Sequence, residues 1–445
     1  MTTSPRILAL RTAFPMRSWV TRCRVAVIFS VGLVLALVGQ FFGRVVAAAP
    51  PPGQPQPGPD LEQVWYKSTA ASGAVEALRS RIERKEVQLE FSPTHGYLPA
   101  LLRELKVPAT SQLLVASKTS PNKNYISPKN PRALYFSDSV ALAFVPGAEM
   151  IEVAAADPKL GVVFYTLEQK ALTRPQLVRD DRCLECHASA KTLDAPGWLV
   201  RSFRTHDDGE VDVLSGLMVT HHTPIAERWG GYYVTGETGG QRHRGNLFGA
   251  EASAKHGPTA AASVSVTDLK PLLDLAKFPE PSSDVVALLV LEHQVHMMNL
   301  LTRLRLDTEA LAESDSLERA YPTSEAVLKY LLLVDEAPLM ASVQGSSSFA
   351  RVFEALGPTD TKGRSLRQLD LQTRLFKYPC SFMIYSPSFE ALPLRARRHL
   401  YRRLWDVLAG EDSSGEFKSL SAETRASIRD ILVQTKKDLP TYWRL

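Results

Sequence analysis

Cysteine is scarce in this chain, which has four in 445 residues. That density excludes a scaffold held together by disulfides, and thirty prolines argue against a long helical rod. Nucleotide-binding glycine loops are also missing, because neither a G-K-[ST] sequence nor a G-x-G-x-x-G between a strand and a helix occurs. The composition, 44% hydrophobic and 22% charged, is that of a globular protein of one large domain or a few average ones.

Acidic residues are absent from residues 1–48, which carry six arginines and account for the net charge of +5. Without this segment the charge is about −1, so no nucleic-acid-binding surface is expected. An apolar run over residues 25–42, followed by small residues, is typical of a signal peptide, and its length also permits an N-terminal membrane anchor. Both alternatives predict export to the periplasm. Residues 49–60, rich in proline and glycine, predict an extended linker.

The remaining chain predicts an α+β fold, with a mixed, β-rich region over 61–281 and a helical region over 282–445. Short β-prone runs separated by turn residues predict strands within 112–169 and 198–238, with a hairpin turn at His206-Asp207-Asp208-Gly209. Apolar residues at helical spacing predict helices over 285–306, 324–333, 348–356, 393–408 and 422–435, the last capped by Ser421.

One motif carries chemistry: Cys183-Leu184-Glu185-Cys186-His187, a C-x-x-C-H sequence. This is the attachment sequence for c-type haem, in which Cys183 and Cys186 form thioethers with the porphyrin and His187 binds the iron. A thiol–disulfide site or half of a zinc site are the alternatives, but no βαβ pattern and no second suitably spaced pair accompany the motif. We therefore predict one covalently bound haem c. Cys380, in an apolar run, is predicted to be a buried core residue.

The motif resembles that of c-type cytochromes. Beyond it, the chain is similar to a group of large exported bacterial proteins described as cytochrome c domain proteins, in the stretches 135–169, 227–246, 289–294 and 377–386. The resemblance implies haem attachment through Cys183, Cys186 and His187, but it implies no particular reaction. About 120 residues of strand-rich sequence precede the motif, so the small all-helical cytochrome c fold alone is not expected.

The ligand at the sixth position of the haem iron separates electron carriers from catalysts. Histidine or methionine there favours electron transfer, whereas an open position lets a small molecule bind. The candidates for this distal position are Met218, His221, His222, His243 and His293. Arg228, in a segment rich in aromatic residues and glycine, is predicted to contact a haem propionate.

Three functions are compatible with these features. The first is single-electron transfer with redox partner proteins or a membrane electron-transfer chain. The second is an enzyme that acts on peroxide or another small oxidant at an open distal site, which would explain a chain larger than a carrier needs. The third is a haem-based sensor, which the β-rich first half favours. We expect the first.

Overall fold

The computed structural model describes residues 66–254, 266–312 and 315–444. The predicted signal peptide or anchor (1–48) and the predicted linker (49–60) lie outside these residues. Near the start of the described part, Tyr66 is buried, and its hydroxyl donates to the carbonyl of Val162 at 2.8 Å. The packed body therefore includes the chain from Tyr66 onward.

Six antiparallel strands form one sheet in which neighbours along the chain are also neighbours in space. The strands are β1 (Leu113–Val115), β2 (Arg132–Phe136), β3 (Val140–Phe144), β4 (Met150–Asp157), β5 (Gly161–Glu168) and β6 (Val178–Arg179). Successive side chains of a strand point to opposite faces. In β5, Val163 and Tyr165 accordingly pack into one core, and Val162 and Phe164 pack into another. Both faces of the sheet are therefore covered.

Two short helices, α1 (Ala74–Glu83) and α2 (Leu98–Glu104), contribute to the first of these cores. Each buries an apolar side toward the sheet, through Val75, Leu78, Leu98 and Leu101. The second core lies on the opposite face of the sheet and contains most of the later helices.

A separate hairpin, β7 (Arg201–Thr205) and β8 (Val211–Met218), follows the one-turn helix α3 (Leu184–His187). Its turn confirms the predicted one: the amide of Gly209 donates to the carbonyl of His206 at 3.0 Å. Gly209 has φ +94°, a conformation that side chains other than glycine disfavour. The smaller elements β9 (Gly236–Glu237) and α4 (Gly249–Ala254) come next.

Helix α5 (Val285–Glu309) runs through the second core and is buried on almost every face. Asp284 caps its start by accepting from the amides of Val286 and Ala287 at 2.8 and 3.1 Å. Of the helices in the described ranges, α5 is the one long and apolar enough to cross a membrane. Nearly all of it lies inside the protein, as expected of a core helix.

The later elements surround α5. They are α6 (Tyr321–Leu331), β10 (Gln344–Gly345), α7 (Phe349–Ala355), α8 (Pro387–Glu390), α9 (Leu394–Ala409) and α10 (Ala422–Thr435). All five predicted helices are confirmed. Helix α6 begins earlier than predicted, because a 3-10 turn over Leu317–Ala320 leads into it. The Ser421 cap of α10 is confirmed by its hydroxyl, which accepts from the Thr424 amide at 3.1 Å.

The α+β prediction is confirmed, with the sheet in the first half of the chain and most helices in the second. The predicted boundary between residues 281 and 282 falls just before α5. Cys380 is fully buried, as predicted.

The cap of α5 also joins it to the segment before α7, because Asp284 accepts from the amide and hydroxyl of Ser347, both at 2.8 Å. We expect Asp284→Ala to lower the free energy of unfolding by about 2 kcal/mol or more, since a cap and a buried tether are lost together. Ser421→Ala, at the exposed cap of α10, should cost about 1 kcal/mol. Urea unfolding followed by circular dichroism tests this; equal losses would show that the tether contributes nothing.

Candidate haem-attachment site

The C-x-x-C-H motif begins shortly after β6, at the edge of the six-stranded sheet. The Asp180 carboxylate accepts from the Arg182 amide at 3.1 Å and pairs with its guanidinium at 2.8 and 2.6 Å. This cap starts a 3-10 turn over Asp181–Cys183, and α3 continues it. Residues three apart in a helical turn lie on one side, so the backbone brings Cys183 and Cys186 to the same side.

Both motif thiols are free, with Cys183 half-buried and Cys186 exposed. Burial raises the pKa of the Cys183 thiol to about 12. A catalytic cysteine of a thiol–disulfide site has a lowered pKa, so this environment disfavours that alternative. No group of three or more metal-binding side chains occurs within the described ranges.

The imidazole of His187 is held by the backbone. Its Nδ1 lies 2.9 Å from the carbonyl of Gly197, whose amide donates to the carbonyl of His187 at the same distance. A carbonyl only accepts, so Nδ1 carries the proton and Nε2 keeps its lone pair. The ring packs on Phe164 with centroids 4.8 Å apart, and burial lowers the pKa of His187. This neutral tautomer is the one that a metal-binding histidine uses.

Asn299, on helix α5, fixes the segment that holds His187. Its side-chain oxygen accepts from the Trp198 amide at 3.0 Å, and its side-chain nitrogen donates to the Trp198 carbonyl at 2.9 Å. A Cβ added at Gly197 would lie 2.3 Å from that oxygen, so only glycine fits there. The buried side chain of Asn299 thus positions the backbone next to Gly197, although Asn299 and Trp198 are 101 residues apart in the sequence.

Two distal candidates, His221 and His293, belong to a buried network. Their Nδ1 atoms lie 2.8 Å apart, and Nε2 of His293 lies 2.6 Å from the hydroxyl of Ser381. The ring of Tyr330 stacks on His221 at 3.8 Å between centroids. A single proton fits between the two Nδ1 atoms, so the two rings cannot both be protonated. Burial lowers the pKa of His221 well below its usual range and that of His293 to about 3.

His222 and His243 also make internal contacts. Nε2 of His222 donates to the carbonyl of Val334 at 3.0 Å. Nδ1 of His243 accepts from the Gly245 amide at 3.1 Å, and its ring packs on Trp229. None of the described contacts of these four histidines involves the motif.

Met218 is the distal candidate that lies on the hairpin following the motif. It lies directly opposite Arg201 in the β7–β8 pairing, so the two side chains share one face of the hairpin. Met218 is half-buried and lies near the end of β8.

Arg228, predicted to contact a propionate, is buried in an ion pair inside the protein. Its guanidinium donates to Glu292 at 2.8 Å and to the carbonyls of Thr223 and His221. The indole nitrogen of Trp229 donates to the other oxygen of Glu292 at 2.8 Å. These contacts engage Arg228 away from the motif, so they do not support a propionate role.

No protein-family model, curated protein or solved structure matches this chain. Its function must therefore be inferred from the motif and from the geometry around it.

Several residues of the site escaped the sequence reasoning, chiefly Gly197, Asn299 and Arg201. A polar Asn299 within the apolar sequence of α5 is a signal that could have been used, because a buried amide needs partners. Nothing in the sequence indicates which partners it has.

The buried histidines predict that acid destabilises the protein. An unfolded histidine binds a proton below about pH 6.5, whereas folded His293 does so only near pH 3, so stability falls as the pH drops between these values. At pH 5 this costs about 2 kcal/mol for His293. We expect His293→Gln to lose less stability than wild type between pH 7 and pH 5, measured by urea unfolding.

The raised pKa of Glu292, about 7, acts in the opposite direction, but it is common to both proteins and cancels in the comparison. His206→Gln, at the exposed turn of the hairpin, is the matched control and should follow wild type. Equal losses of stability in wild type and His293→Gln between pH 7 and pH 5 would contradict the low pKa of His293.

Proposed function

We propose that this chain is an exported mono-haem c-type cytochrome that transfers single electrons through one covalently bound haem c. The observation that carries the proposal is the state of His187. Its Nδ1 proton is held by the Gly197 carbonyl and its Nε2 is left with a lone pair, directly after two free thiols at haem-attachment spacing.

Each motif residue has a distinct part in the proposal. Cys183 and Cys186 would hold the haem by adding their S–H groups across its vinyl groups, and Nε2 of His187 would bind the iron. When bound, haem supplies a one-electron Fe(III)/Fe(II) couple. The hydrogen bond from Nδ1 to Gly197 makes the imidazole a stronger donor and fixes the plane of its ring.

The exposure of the motif supports electron transfer with a protein partner. Cys186 is exposed and Glu185 beside it is also exposed, so a partner protein or a membrane electron-transfer chain can approach this edge. The sequence has a single C-x-x-C-H, so one haem is proposed. The periplasm is the proposed location, after cleavage of residues 1–48 or tethered through them.

We propose Met218 as the distal ligand. None of the described contacts of His221, His222, His243 and His293 involves the motif, although Nε2 of His221 and of His243 has no hydrogen-bond partner among the described residues. Met218 shares a face with Arg201 on the hairpin that follows the motif. A thioether opposite a histidine favours a six-coordinate, low-spin iron suited to electron transfer.

Haem attachment is tested by Cys183→Ala/Cys186→Ala, made with the haem-attachment machinery and stained for haem on a denaturing gel. We expect the double variant to lose all covalent haem, because no thioether can form. Cys380→Ala, which removes the buried thiol outside the motif, is the control and should retain the stain. A wild-type protein without stain, or a stained double variant, would overturn the proposed function.

The distal ligand is tested by Met218→Ala, using absorption spectra of the ferric, ferrous and carbon-monoxide-treated ferrous protein. We expect the wild-type iron to be low-spin and not to bind carbon monoxide. The iron of the variant should be high-spin and should bind carbon monoxide, because a coordination position is vacated. Leu217→Ala, next in the strand and on the opposite face, should resemble wild type. A high-spin wild type would favour the catalytic alternative instead.

A further inference from the structure

Three donors around the motif have no hydrogen-bond acceptor in the structure. They are Nε of Arg132, Nε1 of Trp198 and Nε of Arg201, each buried at the atom itself. A buried donor without an acceptor costs about 1–3 kcal/mol, so three together indicate a ligand that supplies acceptors.

The three donors are linked to the C-x-x-C-H sequence through the residues around them. Trp198 directly follows Gly197, the hydrogen-bond partner of His187. Arg132 alternates along β2 with Leu134 and Phe136, which pack in the same core as Phe164, the ring that contacts His187. Arg201 follows Trp198 by three residues and lies directly opposite Met218 in the β7–β8 pairing.

The guanidinium of Arg201 is held in place without a counter-charge. It lies over the ring of Phe203 at 4.1 Å, and it crosses β8 at Gly216, where a Cβ would come within 2.5 Å of its Nη2. Among the described residues, no carboxylate lies within ion-pairing distance of Arg201. A partly buried cation that is fixed but unpaired is costly unless an anion binds to it.

The guanidinium of Arg132 is only weakly compensated. Its one carboxylate neighbour, Glu152, lies 3.8 Å away and also accepts hydrogen bonds from Ser120 and from Asn122. Its other polar contacts are with Thr119, at 3.3 and 3.5 Å. The two arginines therefore leave a net positive charge beside the motif.

We propose that Arg201, Arg132 and the indole N–H of Trp198 form a dianion site that binds the two propionates of the haem. This inference rests on the proposed function and transfers the propionate contact from Arg228 to residues that lack partners. Guanidinium groups bind carboxylates through paired hydrogen bonds, and the indole N–H supplies one further donor.

The site predicts how the chain sets the reduction potential. A guanidinium beside the haem favours reduced iron, which carries one positive charge fewer, and it also offsets the charge of a propionate. We expect Arg201→Gln to lower the equilibrium constant for reduction about tenfold, which is about 59 mV for a one-electron couple. Arg201→Lys should recover part of this loss, and Trp198→Phe should cause a smaller one.

The experiment is a redox titration of the full-length protein with its haem attached. Arg204→Gln is the matched control for charge: Arg204 lies on the same strand and also has a buried Nε without an acceptor, but its charge is paired with Asp212 at 3.3 Å. The potential of this variant should equal that of wild type. Unchanged potentials in Arg201→Gln and Trp198→Phe would overturn the dianion site. Covalent haem is measured separately by staining, so failure of the proposed function is distinguishable from failure of this site.

A free anion is the other source of the same chemistry. It is tested by adding inorganic phosphate or succinate to Cys183→Ala/Cys186→Ala, which cannot attach haem, and following thermal unfolding. The propionate assignment would be overturned by two results together. The first is that the anion stabilises the double cysteine variant but no longer does so when Arg201→Gln is added. The second is that Arg201→Gln leaves the potential of the haem-bearing protein unchanged. A lowered potential in Arg201→Gln supports the assignment.

Discussion

A helix buried on almost every face must find partners for its polar side chains among the elements packed around it, and contacts made by Asp284 and by residues of α5 show the effect of this constraint. Asp284 binds the segment before α7, Glu292 binds Arg228 and Trp229, and His293 binds His221 and Ser381. Asn299 binds both backbone groups of Trp198. Because an unpaired polar group in this core is costly, each contact determines where its partner lies. The candidate haem site is one consequence of that constraint.

The contact through Asn299 reaches the chemistry by a short route. Asn299 positions the backbone of Trp198, and with it the neighbouring carbonyl of Gly197. That carbonyl accepts the hydrogen bond from the protonated nitrogen of His187. Backbone groups have few alternative positions once an amide holds them from both sides, so the tautomer of His187 is set by the fold. Arg228 and Arg201 differ for a related reason: the first has a buried carboxylate within reach and the second does not. The unpaired arginine is the one that points to a ligand.

Much of the fold could be predicted from the sequence. Helical periodicity, the Ser421 cap and the turn at His206–Gly209 depend on residues within about ten positions of one another, and each was found where expected. The motif likewise depends on local spacing, so Cys183, Cys186 and His187 could be singled out without a structure. The start of α6 was displaced because a 3-10 turn continues into the helix, a detail that apolar spacing does not encode.

By itself, the sequence determined the α+β order of elements, the haem-attachment motif and its axial histidine as a hypothesis, and a set of five distal candidates. Tertiary structure alone decided that His221 and His293 bind each other, that Arg228 pairs with Glu292, and that Asn299 and Gly197 orient His187. These contacts join residues from 10 to 101 positions apart. Periodicity and spacing act along the chain, whereas the partner of a buried polar group is chosen by which elements pack together, so only the packed structure reveals it.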